Sequence, residues 1–405
     1  MLDGGVLPNL MSESDKRVDR FMQLEGLRGV AASIVVFYHI LLIFYPNVIY
    51  GLGTEFSSPQ HMRFEDDLQG SLFGGLYSGL FAVSVFFVLS GFVLTIGFFM
   101  TGYDRIIKKL AAKRYVRLMI PALVSVLLAF TIIATGLSSY REQAASIVGG
   151  GSANIQWNFV PNLFEAIKQG VWSIFVTGED SYNKVLWTMK YEFIGSFAVF
   201  IIALVFGRAK YRFYVYAALL VALFNTWYVG FIFGMILADL CAHNRLEIKV
   251  KSKRALIVAI LFIGGLLIGG YPVAAVEGTP YAILHIESLT VIENTSLYLG
   301  VAATMLVAAI LMSKRLSLAF AHKSLVMIGR YTYSLYLTHI LVLLTLTTFL
   351  FVSLSHYVGY NKAVFFAVIL SSPVIIGGAW LFERYVDRPS INLSNRLAES
   401  TEILQ

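Results

Sequence analysis

The stretch GLRGVAASIVVFYHILLIFYP, residues 26–46, decides how the rest of the chain is read. It is a run of about 20 mostly apolar residues, the length an α-helix needs to cross the hydrocarbon core of a bilayer. Two of its residues, Arg28 and His39, break the apolar pattern, and they are eleven positions apart. Eleven steps of about 100° come close to three full turns, so the two side chains leave the helix on one face, about 16 Å apart along its axis. Arg28 then sits at the inner edge of a span and His39 near mid-membrane. Ionisable groups inside a span are costly and are functional candidates by default. The plainer alternative for a lone histidine is a hydrogen bond to a neighbouring helix. Its alignment with Arg28 favours function.

Runs of the same kind recur along all 405 residues, of which 58% are hydrophobic and 14% charged, with a mean hydropathy of +0.73. Soluble chains are about 45–50% apolar and about 25% charged. A soluble enzyme, a disordered chain and a nucleic-acid-binding domain are thereby excluded. The expected fold is an all-α polytopic membrane protein, a bundle of about ten transmembrane helices near 26–46, 76–100, 119–138, 191–206, 213–225, 226–241, 255–271, 297–312, 326–350 and 363–382. The fourth to sixth are short for a full crossing. Residues 1–25 read as a cytoplasmic tail, 26–385 as the membrane domain and 386–405 as a second cytoplasmic tail. No small-residue cleavage site follows the first apolar run, so it reads as a retained span. Cys241 is the single cysteine, which leaves neither an intrachain disulfide nor a Cys-rich metal site; no metal is expected.

Charge supplies the orientation. With the N-terminus inside and the spans alternating, 23 of the 31 Lys and Arg fall on inner segments and 6 on outer ones, with Arg28 and Arg330 at inner span ends. Such an excess follows the positive-inside rule and places both termini in the cytoplasm. The net charge of +7 is thus mostly topology rather than a nucleic-acid footprint. The lipid bilayer is the first partner; plasma (inner) membrane and endomembrane both fit.

Other polar groups near the spans stand out. The basic stretch from Lys108 to Pro121 enters the third span from inside, and its Arg114 and Arg117 share a helix face. Two guanidinium forks on one face suit a phosphorylated ligand; an interfacial helix drawn to anionic lipid is the simpler alternative. Glu192 enters the fourth span and needs a partner, with His39, Arg28 and Lys190 as candidates. His339 reads as a satisfied core histidine, and His61, His243, His285, His322 and His356 as solvated loop residues. The longest outer loop, near 139–190, carries Gly149-Gly150-Gly151-Ser152, with Trp157 and Trp172 placed for an interfacial belt. GxxxG at Gly75/Gly79, Gly230/Gly234 and Gly265/Gly269 is explained by helix packing. Asn294-Thr295-Ser296 is a glycosylation sequon in an expected outer loop. HExxH, Walker-type, GxSxG and Cys-cluster motifs are missing.

Six short elements together resemble the acyltransferase family 3 membrane proteins. They are Leu24-Glu25-Gly26-Leu27-Arg28-Gly29 followed by His39; Phe86-Phe87-Val88-Leu89-Ser90-Gly91-Phe92; Arg114-Tyr115-Val116-Arg117 running to Pro121; Trp187-Thr188 with Glu192; Tyr333-Ser334-Leu335-Tyr336-Leu337 with His339; and Glu383-Arg384 with Arg388-Pro389. They occur in family order between about residues 20 and 390. The resemblance implies transfer of an acyl group, often acetyl, from cytoplasmic acyl-coenzyme A (acetyl-CoA) to a hydroxyl, commonly of a carbohydrate. On that expectation Arg28, Arg114 and Arg117 draw the coenzyme to the inner face. His39 is the general base, and Glu192 orients it or holds the acceptor. An acyl-histidine relay is the alternative mechanism. A transporter of an organic acid or acylated metabolite is the alternative class, since buried His and Glu also suit transport.

Overall fold

The computed structural model describes residues 21–150, 156–274 and 276–403, and all regular structure among them is helical. Lys16, Arg17, Arg20, Gly151 and Ser152, which entered the charge and loop readings, lie outside the described residues. Fourteen helices frame the site: α1 Met22–Phe44, α2 Gly79–Thr101, α3 Asp104–Ala134, α4 Thr188–Phe206, α5 Arg212–Leu223, α6 Val229–Ala242, α7 Lys251–Ile268, α8 Val291–Met312, α9 Lys314–Phe320, α10 Lys323–Arg330, α11 Thr332–Val342, α12 Thr348–Val358, α13 Tyr360–Phe382 and α14 Arg388–Ile403.

Among the described residues seven helical stretches are long and apolar enough to cross a membrane: α1, α2, α3, Lys184–Phe206, α8, Thr332–Val358 and Tyr360–Ser400. The other expected spans fall on shorter or more basic helices. α5 has 12 residues and α6 has 14. α7 opens on Lys251, Lys253 and Arg254. The architecture is that of a multi-pass membrane protein.

Local chemistry sets the ends. Ser78 caps α2 by accepting the Phe81 N–H at 3.2 Å, and the helix closes at Gly102 in the left-handed region (φ +73°). α3 has 31 residues and is thus about 46 Å long, against about 30 Å of hydrocarbon. Its basic first half therefore lies at and beyond one edge of the apolar layer. α11 runs into α12 through a single π turn, Leu343–Thr347. A second π turn, Glu383–Asp387, carries α13 into α14. The segment read as a C-terminal tail is therefore a helix packed against α3 as far as it is described.

α2 is the hub, packed by α6, α8, α1, α4 and α3. Close approach depends on missing side chains. A Cβ on Gly91 would fall 2.1 Å from the Phe231 carbonyl oxygen, and one on Gly234 would fall 2.0 Å from that of Val88, so α2 and α6 touch backbone to backbone. The GxxxG glycines thus serve packing, as expected. The seam of α1 against α9 and α10 works the same way. A Cβ on Gly26 would meet the Phe320 oxygen, and one on Gly329 the Glu25 oxygen at 2.1 Å.

Three loop expectations change. The sequon Asn294 is buried in the first turn of α8, bonded to Ile286 N at 3.0 Å, because the apolar run begins earlier than its hydropathy suggested. The long outer loop contains the helices Tyr140–Val148 and Leu163–Lys168. Trp157 is buried, donating to the Tyr182 carbonyl at 2.7 Å, whereas Trp172 is 61% exposed.

Candidate active site

Two cavities meet at the centre of the bundle and share Val83 and Tyr336 as a common wall. One, of about 100 Å³, is lined by Arg28, Arg114, Arg117, Ser90, Thr188, Glu192, Thr332 and Tyr333. The other, of about 220 Å³, is lined by His39, Tyr38, Tyr50, Gln156, Lys184 and Trp187. The three arginines expected to share a ligand therefore do converge, and they lie across Tyr336 from His39.

Arg28 reaches the arginine cavity because Gly26 and Gly29 let α9 and α10 close on the opposite face of α1. Its guanidinium is 3.3 Å from Glu25. Arg114 and Arg117, one turn of α3 apart, enter from the other side. Arg114 donates to Glu192 Oε2 at 2.5 Å, and the Ser90 hydroxyl donates to the same carboxylate at 2.9 Å. Both members of the ion pair are nearly buried, their side chains 11% and 12% exposed. Glu192 was expected against His39, Arg28 or Lys190. It sits instead between α2 and α3, because α4 packs with that face toward the arginine cavity while Lys190 turns to Thr177 O. Arg117 makes no salt bridge among the described residues, although the buried carboxyl of Asp387 lies within its electrostatic reach. Arg114 Nε and the Thr332 hydroxyl are buried in this cavity without hydrogen bonds. Unsatisfied donors of this kind are costly, and they fit a ligand that brings acceptor oxygens into the cavity.

His39 is held by a feature that its own span does not reveal. His339, on α11, is fully buried, and its Nε2 lies 3.2 Å from His39 Nδ1. His339 Nδ1 lies 2.8 Å from Leu335 O, and His39 Nδ1 lies 2.8 Å from Val35 O. A carbonyl only accepts, so each Nδ1 carries the proton. His339 Nε2 is then a bare acceptor, and His39 Nδ1–H is shared between it and Val35 O. That assignment leaves His39 Nε2 with a free lone pair and no hydrogen-bond partner among the described residues. The histidine read as core filler is thus buried and bonded, and it also orients His39.

Tyr336 in the common wall is fixed by donating to Val185 O at 2.6 Å and lies 3.0 Å from Thr188 Oγ1. Tyr333 donates to Leu118 O at 3.0 Å. The Trp187-Thr188 element thus anchors α11. Ser90, Thr332, Tyr336 and Gln156 were not foreseen as site residues. The first and third lay inside motifs that had been noted, while Thr332 and Gln156 give no sequence signal.

Of the remaining histidines, His243, His322 and His356 are exposed as expected, whereas His61 and His285 are partly buried. His61 stacks on Tyr360 with ring centroids 3.6 Å apart and reaches Val148 O at 2.9 Å. His243 pairs with Asp239 at 2.8 Å, beside Arg212, and His285 meets the Tyr271 hydroxyl at 3.1 Å. His322 caps α10, and His356 lies in the last turn of α12. Beyond the spans, burial pushes the Asp180 carboxyl above its ordinary range, opposed by its bond to Lys184.

No curated protein and no solved structure matched the chain. A family model described as an acyltransferase domain, that of the acyltransferase 3 family, matches residues 22–384. The match takes in both cavities and every helix that lines them, and the chain belongs to the acyltransferase 3 family of membrane acyltransferases.

Proposed function

We propose that this protein moves an acyl group, acetyl in the simplest case, from cytoplasmic acyl-coenzyme A to a hydroxyl of a carbohydrate or similar small acceptor, with His39 as general base. The observation that carries the proposal is the bare Nε2 of His39, fixed by His339 and Val35 beside the wall that separates the two cavities.

The arginine cavity is the donor side. At about 100 Å³ it admits a thin acylated arm and not a nucleotide. The coenzyme's phosphates therefore belong at its mouth, on the side from which the basic first half of α3 leads in. Arg114 is neutralised by Glu192 and Arg28 is partly offset by the half-exposed Glu25, so Arg117 supplies most of the attraction, with Arg28 beside it. Glu192 acts by holding Arg114 in place rather than by touching His39. About ten crossings with both termini in the cytoplasm put this side on the coenzyme's side of the membrane, in line with the distribution of basic residues.

His39 Nε2 takes the proton of the acceptor hydroxyl as its oxygen attacks the thioester carbonyl. His339 Nε2 accepts from His39 Nδ1–H and so stabilises the imidazolium that forms. The new C–O ester bond is complete when the C–S bond breaks, and the proton on Nε2 passes to the departing thiolate. A base in this position contributes about 10²–10⁴-fold to rate.

Purified protein in nanodiscs, given acetyl-CoA and a panel of sugar glycosides, tests the proposal by mass spectrometry of the acceptors. His39→Ala is expected to lose that factor while still inserting, and Arg28→Ala to raise the KM for acetyl-CoA. Full activity of His39→Ala sinks it. An acetylated His39 peptide formed from acetyl-CoA alone would instead favour the covalent relay.

A further inference from the structure

The cavity on the His39 side holds a polar group that nothing among the described residues satisfies. Gln156 is only 5% exposed, and its Oε1 has no hydrogen-bond partner, yet it lines this cavity with His39. Its position is anchored: the next residue, Trp157, is buried with a positive φ of 58° and bonded to Tyr182 O at 2.7 Å. The backbone that carries the amide is therefore held against the cavity on its C-terminal side.

We infer that Gln156 is an acceptor-binding residue: its Oε1 receives a non-reacting hydroxyl of a neutral, polyhydroxylated ring seated against Tyr38, Tyr50 and Trp187, with another hydroxyl presented to His39. This rests on the proposed role of His39 as base and extends it to the choice of acceptor. The size fits, since about 220 Å³ equals the space of about seven waters and is smaller than a typical drug-sized site. Aromatic walls with polar tips suit a ring that is apolar on its faces and hydroxylated at its rim. The cavity's one charged side chain, Lys184, is already held by Asp180 at 3.0 Å, which favours a neutral acceptor over an anionic one. A long-chain alcohol would leave Gln156 buried and unpaired, which such a site disfavours.

The test uses the full-length protein in nanodiscs with acetyl-CoA and methyl glycosides of common hexoses, together with their monodeoxy analogues. Wild type is expected to discriminate against one deoxy position other than the acylated one. Gln156→Leu should raise the glycoside KM at least tenfold, erase that discrimination and leave the acetyl-CoA KM unchanged. Gln156→Glu retains an accepting oxygen and should keep the deoxy discrimination that Gln156→Leu erases, at a raised glycoside KM. An unchanged glycoside KM in Gln156→Leu overturns the assignment, as does a joint rise of both KM values. Acylation of long-chain alcohols but of no glycoside also overturns it while leaving His39 as base. Absence of transfer to any hydroxyl removes the proposed function itself.

Discussion

Two imidazoles 3.2 Å apart, each with its Nδ1 proton committed to a backbone carbonyl, form a directed pair: His339 accepts and His39 donates. Removing His339 leaves His39 basic but frees its ring and removes the partner of the imidazolium. His339→Ala should therefore lower kcat by at least tenfold, about 1.4 kcal/mol of barrier, with the acetyl-CoA KM unchanged. His339→Gln can place an amide oxygen near His39 Nδ1 and should recover part of the loss. Equal rates for wild type and His339→Ala would contradict the pairing. At this scale the sequence exposed what was chemically out of place. Arg28 and His39 stand out because charge and imidazole are rare in an apolar run. Their partners did not, because Glu192 meets Arg114 across 78 positions and His339 meets His39 across 300, contacts that only helix packing creates. Gln156 was invisible for a different reason: a loop amide breaks no pattern.

The elements were more legible than the contacts, because about twenty apolar residues in a row have one stable solution in lipid, a helix whose backbone bonds close within itself. Nine of the ten expected spans each fall on one helix, whereas the ninth, 326–350, is divided among α10, α11, a π turn and α12. What escaped was whatever interrupts regularity, namely the π turns, the short α9 and α10, and the helices inside the long outer loop. α9 and α10 matter because they press on α1 at Gly26 and Gly29, the glycines that flank Arg28. A Cβ on Gly29 would lie 2.5 Å from Leu325 O, a backbone atom that cannot step aside. Gly29→Val should therefore destabilise the protein by about 1–3 kcal/mol, read as a lower thermal unfolding midpoint in detergent. Gly377 on α13 has nothing within 4 Å, so Gly377→Ala should be neutral or slightly stabilising. If the two variants melted alike, the α1 seam would not be a tight contact.

Across the whole molecule, two cavities on opposite sides of the Tyr336 wall make orientation part of the proposed function, which has the acyl donor arrive at the face that opens to the arginines. The segment between α6 and α7 and the start of α7 carry five basic residues, Arg245 to Arg254, whereas the connection from α1 to α2 carries only Arg63. That asymmetry orients helical membrane proteins, and the orientation proposed from it has Arg28, Arg114 and Arg117 toward the cytoplasm and Tyr50 and Gln156 toward the far side. The single cysteine makes this measurable. In a Cys241→Ser background, Glu55→Cys, on an exposed site beyond α1, should react with a membrane-impermeant maleimide in intact cells. Glu247→Cys, equally exposed between α6 and α7, should react only after permeabilisation. The reverse pattern would bring acyl-coenzyme A to the Gln156 cavity, whose one cation is already paired and whose walls are aromatic, and leave three converging arginines facing a compartment without the coenzyme.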